Sequence, residues 1–175
     1  MKKILATLAT LLLALGTTAP ALAIDWQLQD KKITPGLLNP SVVQSDIKTT
    51  VCKSGWTATI RPTVTYTNKL KMVQLKGEYA FETKVYGTDA SAYEEDHLIS
   101  LQLGGDPSNP KNLWPQPYVG QNARKKDVVE TALKRLVCAG TITLATAQSA
   151  ILDWPTAYKK YVTKADTTVV NNEDN

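Results

Sequence analysis

The chain has a single histidine, His97, and three acids stand directly before it: Glu94, Glu95 and Asp96. An imidazole can take a proton from water, while carboxylates and amide oxygens suit hard cations. The amides lie downstream, Asn112 just before Leu113-Trp114-Pro115 and Asn122 at the start of a helical pattern that also carries Arg124, Lys125 and Lys126. Together these residues offer a base for proton abstraction, a carboxylate and an amide for a divalent cation, and positive charge for phosphate. Each has a plainer reading. An acid–histidine pair can be structural, Asn112 can close a loop, Asn122 can cap its helix, and lysines scattered on a helix are ordinarily solvated. On that reading Glu94 and Glu95 face water, with the alternative that either stands behind the site groups and supports them, and Trp114 belongs to the core.

The elements that must hold these groups follow from local pattern. Two short extended segments flank a loop that Gly104 and Gly105 open, Pro107 and Pro110 stiffen, and Asn112 closes, so the stretch 93–117 is expected to form a hairpin. Adjacent residues on a strand point to opposite faces, so Asp96 and His97 need a bend at the strand end to serve one site. Over 122–137 the stripe Val129, Leu133, Leu136 and Val137 predicts a helix, stopped by Gly140. If the hairpin packs on it, Asn122 and, one turn later, Lys126 turn toward the imidazole.

Elsewhere, Asn39-Pro40 with Val43, Ile47 and Val51 predicts a helix over 40–51 that delivers Cys52 to the core side. Residues 55–60 are β-branched and aromatic and are expected to be extended up to Pro62. A second helix is expected from Thr67 or Asn68 to Gly77, with Leu70, Met72, Val73 and Leu75 as its apolar face and Lys69, Lys71 and Lys76 mostly outside. Residues 87–92 read as loop. A last helix over 144–154 is capped by Thr143 and ended by Pro155.

Residues 1–23 combine Lys2 and Lys3, an apolar run over 4–15 and the small ending Ala21-Leu22-Ala23, the pattern of a secretory signal peptide. No later run approaches membrane-spanning length. The expected organisation is a leader over 1–23, one domain over 24–165 with Trp26 packed near its start, and a flexible tail over 166–175. The leader holds two lysines and no acid, so the net charge of +4 falls to +2 without it, a weak pull toward nucleic acid. Cys52 and Cys138 are the only cysteines, and export predicts their disulfide. The expected fold class is α+β, a small, mostly helical domain around a hairpin–helix core with one disulfide. The product is expected to be secreted or periplasmic, monomeric and free of the membrane.

Asp96-His97, Gly104-Gly105, Asn112 and the helix bearing Asn122 and Lys126 resemble the HNH endonuclease family, whose core is the ββα-metal fold. The wider frame E-x-D-H-L-I-x-L-x-L-G-G, then N-L-W-P-Q, is similar to a group of exported bacterial HNH-like proteins, as are C-K-S-G-W-T-A-T-I-R from Cys52 to Arg61 and the Cys138 region. The resemblance implies that His97 is the general base, Asn112 orients the imidazole, and Asp96 and Asn122 ligate a divalent cation. It further implies that Arg124, Lys125 and Lys126 contact phosphate. Hard oxygen ligands favour magnesium, then manganese, over zinc. The implied activity is phosphodiester hydrolysis of nucleic acid, DNA ahead of RNA, with little sequence preference. Asn122 stands where the family usually has a histidine, and Ser100 where proline is expected. No C-x-x-C pair for a structural zinc is present. These departures keep a second possibility open, a catalytically silent scaffold that binds nucleic acid or serves a structural role.

Overall fold

The computed structural model describes residues 27–167. The expected leader, Trp26 and the tail beyond residue 167 lie outside the described residues.

The fold is α+β. Three helices come first: α1 (Trp56–Ile60), α2 (Val64–Lys76) and α3 (Ala80–Tyr86). The antiparallel hairpin β1 (Tyr93–His97) and β2 (Leu113–Pro117) follows, then α4 (Asn122–Cys138), α5 (Leu144–Ile151) and α6 (Trp154–Tyr161). One apolar core gathers Ile99 and Leu103 from the hairpin connection, Val129, Leu133 and Val137 from α4, and Leu144, Ile151 and Trp154 from the last two helices. A smaller one joins Tyr79, Leu98 and Trp114. Cys52 and Cys138 form the expected disulfide, which ties the end of α4 to the N-terminal segment. Among the described residues no helix is long and apolar enough to cross a membrane.

In place of the helix expected over 40–51, the chain makes turns and a single 3-10 turn over Gln44–Asp46. The Asn39 side chain accepts from Ser41 N, and the Thr49 and Thr50 hydroxyls both bond to the Asp46 carbonyl. Such side-chain bonds satisfy the backbone locally and compete with a helical ladder. Residues 56–60, expected to be extended, form the short α1, in which the Thr59 hydroxyl bonds to the Trp56 carbonyl.

α2 starts earlier than expected because Thr63 accepts from Tyr66 N as its N-cap. Its buried face also differs. Met72 and Val73 are exposed, whereas Gln74 is buried and donates through Nε2 to the Leu113 carbonyl at 2.8 Å. Lys71, placed on the solvated side by the sequence pattern, donates to the Tyr93 carbonyl at 2.8 Å. α2 therefore reaches the hairpin through polar side chains that meet strand carbonyls, a contact that leaves no apolar stripe to detect. α3 has no counterpart among the sequence expectations. Pro155 opens α6 rather than ending α5, since Asp153 caps the new helix by accepting from Thr156 N. Asp166, placed in the flexible tail by sequence, is 4% exposed, pairs with Arg135 at 2.9 Å and accepts from Thr163.

Candidate functional site

His97 is the last residue of β1, paired with Leu113, and Asp96 pairs with Trp114, so the two side chains leave the hairpin on opposite faces. The His97 ring is held by the connection between the strands: Nε2 lies 2.8 Å from the Pro107 carbonyl. A carbonyl only accepts, so Nε2 carries the hydrogen and Nδ1 keeps a lone pair. Burial pushes the imidazole below its ordinary pKa. Lys126 and Arg61 add to that shift, while the Pro107 bond and Asp96 oppose it. The ring is therefore neutral at neutral pH, with a basic nitrogen in a fixed orientation.

Asn112 builds the frame around it. This fully buried side chain accepts from Ile99 N at 3.0 Å and Leu37 N at 3.3 Å, and donates to the Ile99 carbonyl at 3.0 Å and the Asp106 carbonyl at 2.8 Å. One amide thus joins both ends of the connection and the 36–39 segment that lies along it. The double glycine is needed here for two reasons. Gly104 adopts φ +77, and a Cβ on Gly105 would lie 1.7 Å from the Ile99 carbonyl oxygen. Ser100 caps the 3-10 turn over Leu101–Leu103 by accepting from Gln102 N at 3.2 Å.

On the other face, the sequence placed Lys126 on phosphate, and the structure corrects this. Its side chain is 1% exposed, and Nζ lies 2.7 Å from Asp96 Oδ2, 2.6 Å from Glu130 Oε1 and 2.8 Å from the His97 carbonyl. Trp114 Nε1 donates to the same Asp96 oxygen at 3.3 Å. Burial alone would lower the Lys126 pKa, but Asp96 and Glu130 outweigh it and hold the ammonium charged. Glu130 is pulled both ways. Burial, with Asp96 adding, raises it above the ordinary carboxylate value, and Lys126 and the Ser100 hydroxyl oppose that rise only in part.

A divalent cation on Asp96 Oδ2 would have to share that oxygen with the ammonium. Among the described residues, no three His, Cys, Asp or Glu side chains converge as a metal site. The side chain of Asn122, the second expected ligand, lies outside the described residues. The described donors thus do not fit a metal held at Asp96 Oδ2. Arg124 is exposed and near Asp127 at 3.8 Å, and Lys125 reaches the Gly120 carbonyl at 3.2 Å.

Several groups escaped sequence reading. Glu94 and Glu95 are not simply solvated. Burial, with Asp96 adding, pushes Glu94 up to about 7 and Glu95 up to about 8. Both Glu95 oxygens are buried without a hydrogen-bond partner among the described residues, on the same strand face as His97. Asp127 is raised too, first by burial and then by Glu130, Asp96 and Glu94. The i,i+4 spacing of Lys126 and Glu130 is visible in sequence, but it is equally the spacing of a solvated surface pair. Arg61, close enough to bear on the His97 charge, carries no sequence signal of that proximity.

Comparison of the chain with family models, curated proteins and solved structures finds no match.

Proposed function

We propose that the chain is an exported HNH-type endonuclease that hydrolyses phosphodiester bonds of nucleic acid with little sequence preference. The supporting observation is the His97 ring, oriented by the Pro107 carbonyl and kept neutral by burial. Nδ1 takes a proton from a water molecule, the hydroxide oxygen bonds to phosphorus, and the P–O bond on the opposite side breaks. The leaving oxygen takes a proton from solvent. Asn112 acts as a positioning residue through the Ile99 and Asp106 backbone. Arg61, Arg124 and Lys125 supply positive charge for the sugar–phosphate backbone, and contacts of this kind bind without reading sequence. No step runs through the magnesium or manganese that the family resemblance implies.

A second reading, a silent scaffold, is favoured by one observation: the Asp96 carboxylate is already neutralised by Lys126. Incubation of the protein with plasmid DNA or RNA in magnesium, manganese or EDTA separates the two. Hydrolysis is expected, with a loss of about 100-fold or more in His97→Ala, the scale of general-base catalysis. Equal rates in parent and variant would remove His97 from the reaction. No cutting in any cation would favour the scaffold.

A further inference from the structure

We infer that the outward faces of α2 and α3 form a docking surface for an anionic lipid bilayer. Their apolar side chains enter the headgroup boundary and their lysines meet lipid phosphates.

The molecule exposes its large apolar side chains unevenly. Val64, Met72 and Val73 of α2 and Phe81 and Val85 of α3 all face solvent, Val73 at 65% and Val85 at 70% exposure. Among the described residues, α4, α5 and α6 expose no large apolar side chain at all. Single exposed apolar residues are ordinary on a protein surface, but a cluster confined to two neighbouring helices marks an interaction site.

Charge follows the same two helices. Lys69 and Lys76 are exposed and lie three and four residues from Met72 and Val73 on α2, and Lys84 stands beside Val85 and three residues from Phe81 on α3. Those spacings put lysine and apolar side chains together on one helix face. From Arg61 to Val85 five basic residues stand against two acidic ones, Glu78 and the buried Glu82, a net charge of +3. The rest of the chain beyond residue 23 sums to −1. The positive charge beyond the leader is therefore concentrated where the apolar side chains are exposed.

The combination selects the partner. Single-stranded nucleic acid would match the charge, but it is held by aromatic platforms and arginine, whereas four of the five apolar residues here are valine or methionine. A bilayer offers both complements at once. Aliphatic and phenyl side chains enter the acyl boundary, and lysine stems lie along the apolar face while their ammonium groups reach anionic headgroups. The opposite face of α2 is bound to the hairpin through Lys71 and Gln74, so the docking face is presented on a fixed helix. Such a contact lies on the membrane and needs no spanning helix. It stands whether or not the protein cuts nucleic acid.

The test is co-sedimentation with vesicles, using protein recovered after export so that the expected leader does not itself insert. Parent protein is expected to bind vesicles of phosphatidylglycerol and phosphatidylcholine, to release from them as salt is raised, and to leave vesicles of phosphatidylcholine alone largely unbound. The triple variant Lys69→Gln, Lys76→Gln, Lys84→Gln should bind the anionic vesicles roughly 100-fold more weakly, at about fivefold per lysine. Val73→Ser with Phe81→Ser should weaken binding at least about tenfold by removing apolar burial. Lys159→Gln with Lys160→Gln, on α6, should stay within about twofold of the parent. All these positions are exposed, so each variant should melt within about 2 °C of the parent. The proposal is overturned if the parent does not bind anionic vesicles, binds neutral ones equally well, or loses nothing in either the triple or the apolar variant. It is also overturned if the triple variant loses affinity for a single-stranded oligonucleotide and none for vesicles, or if Val73→Ser with Phe81→Ser abolishes a dimer instead.

Discussion

The two halves of α4 bury opposite chemistry. In its second half the inner face is apolar, Leu133 and Val137 packing into the main core toward the disulfide at Cys138. In its first turns the inner face presents Lys126 and Glu130 to Asp96 and to a strand carbonyl. One helix thus anchors to the domain by hydrophobic packing at one end and by a desolvated ion cluster at the other. Packing tolerates a range of shapes and loses stability in proportion to the volume removed. An ion cluster fixes its partners at bonding distance, and each lone member left behind is costly.

The largest effect is therefore expected at the charged end. Lys126→Met should lower unfolding stability by about 3–5 kcal/mol in denaturant titration, because it leaves two carboxylates without their counter-ion. At the apolar end Leu133→Ala should cost about 2–5 kcal/mol by loss of transfer energy and creation of a cavity. If Lys126→Met proves the milder of the two, the charged end is more open to water than its burial indicates. A pH series sharpens the comparison. Glu95 holds its proton up to about pH 8 in the fold but only to about 4.5 when unfolded, so its contribution is fully present below about 4.5 and is lost as pH rises through about 8. Glu95→Gln should remove that loss and stabilise the protein at pH 9 relative to the parent by roughly 1–3 kcal/mol, discounted for partial exposure. The smallest effect belongs to Arg135, whose side chain is 49% exposed in its pair with Asp166, so Arg135→Ala should cost at most about 1 kcal/mol. A larger loss would mean that the segment around Asp166 is part of the core.

The same contrast governs what was legible in the sequence. The hairpin and α4 could be read because their signals are local: glycines and prolines bound the connection, and the apolar stripe continues through the second half of α4. The inner face of α2 could not, because Lys71 and Gln74 engage strand carbonyls that lie far away in sequence. Lys126 could not either, since a lysine four residues before a glutamate looks the same in water as in a core. At 40–51 the apolar residues do recur at helical spacing, and only the threonine and asparagine side-chain bonds reveal that turns win. His97 and Asn112 stand out in the sequence as the sole histidine and an amide that closes the loop. The Pro107 and Asp106 carbonyls that hold them belong to no side-chain pattern.

The four backbone bonds of Asn112 give the connection over 98–112 a property unusual for irregular chain. Leu37 N and Ile99 N lie outside helix and strand, yet each donates to an oxygen that is itself fully buried. Their deuterium uptake is expected to be as slow as that of α4 amides, so on an exchange map this rim would group with the slowest-opening part of the molecule.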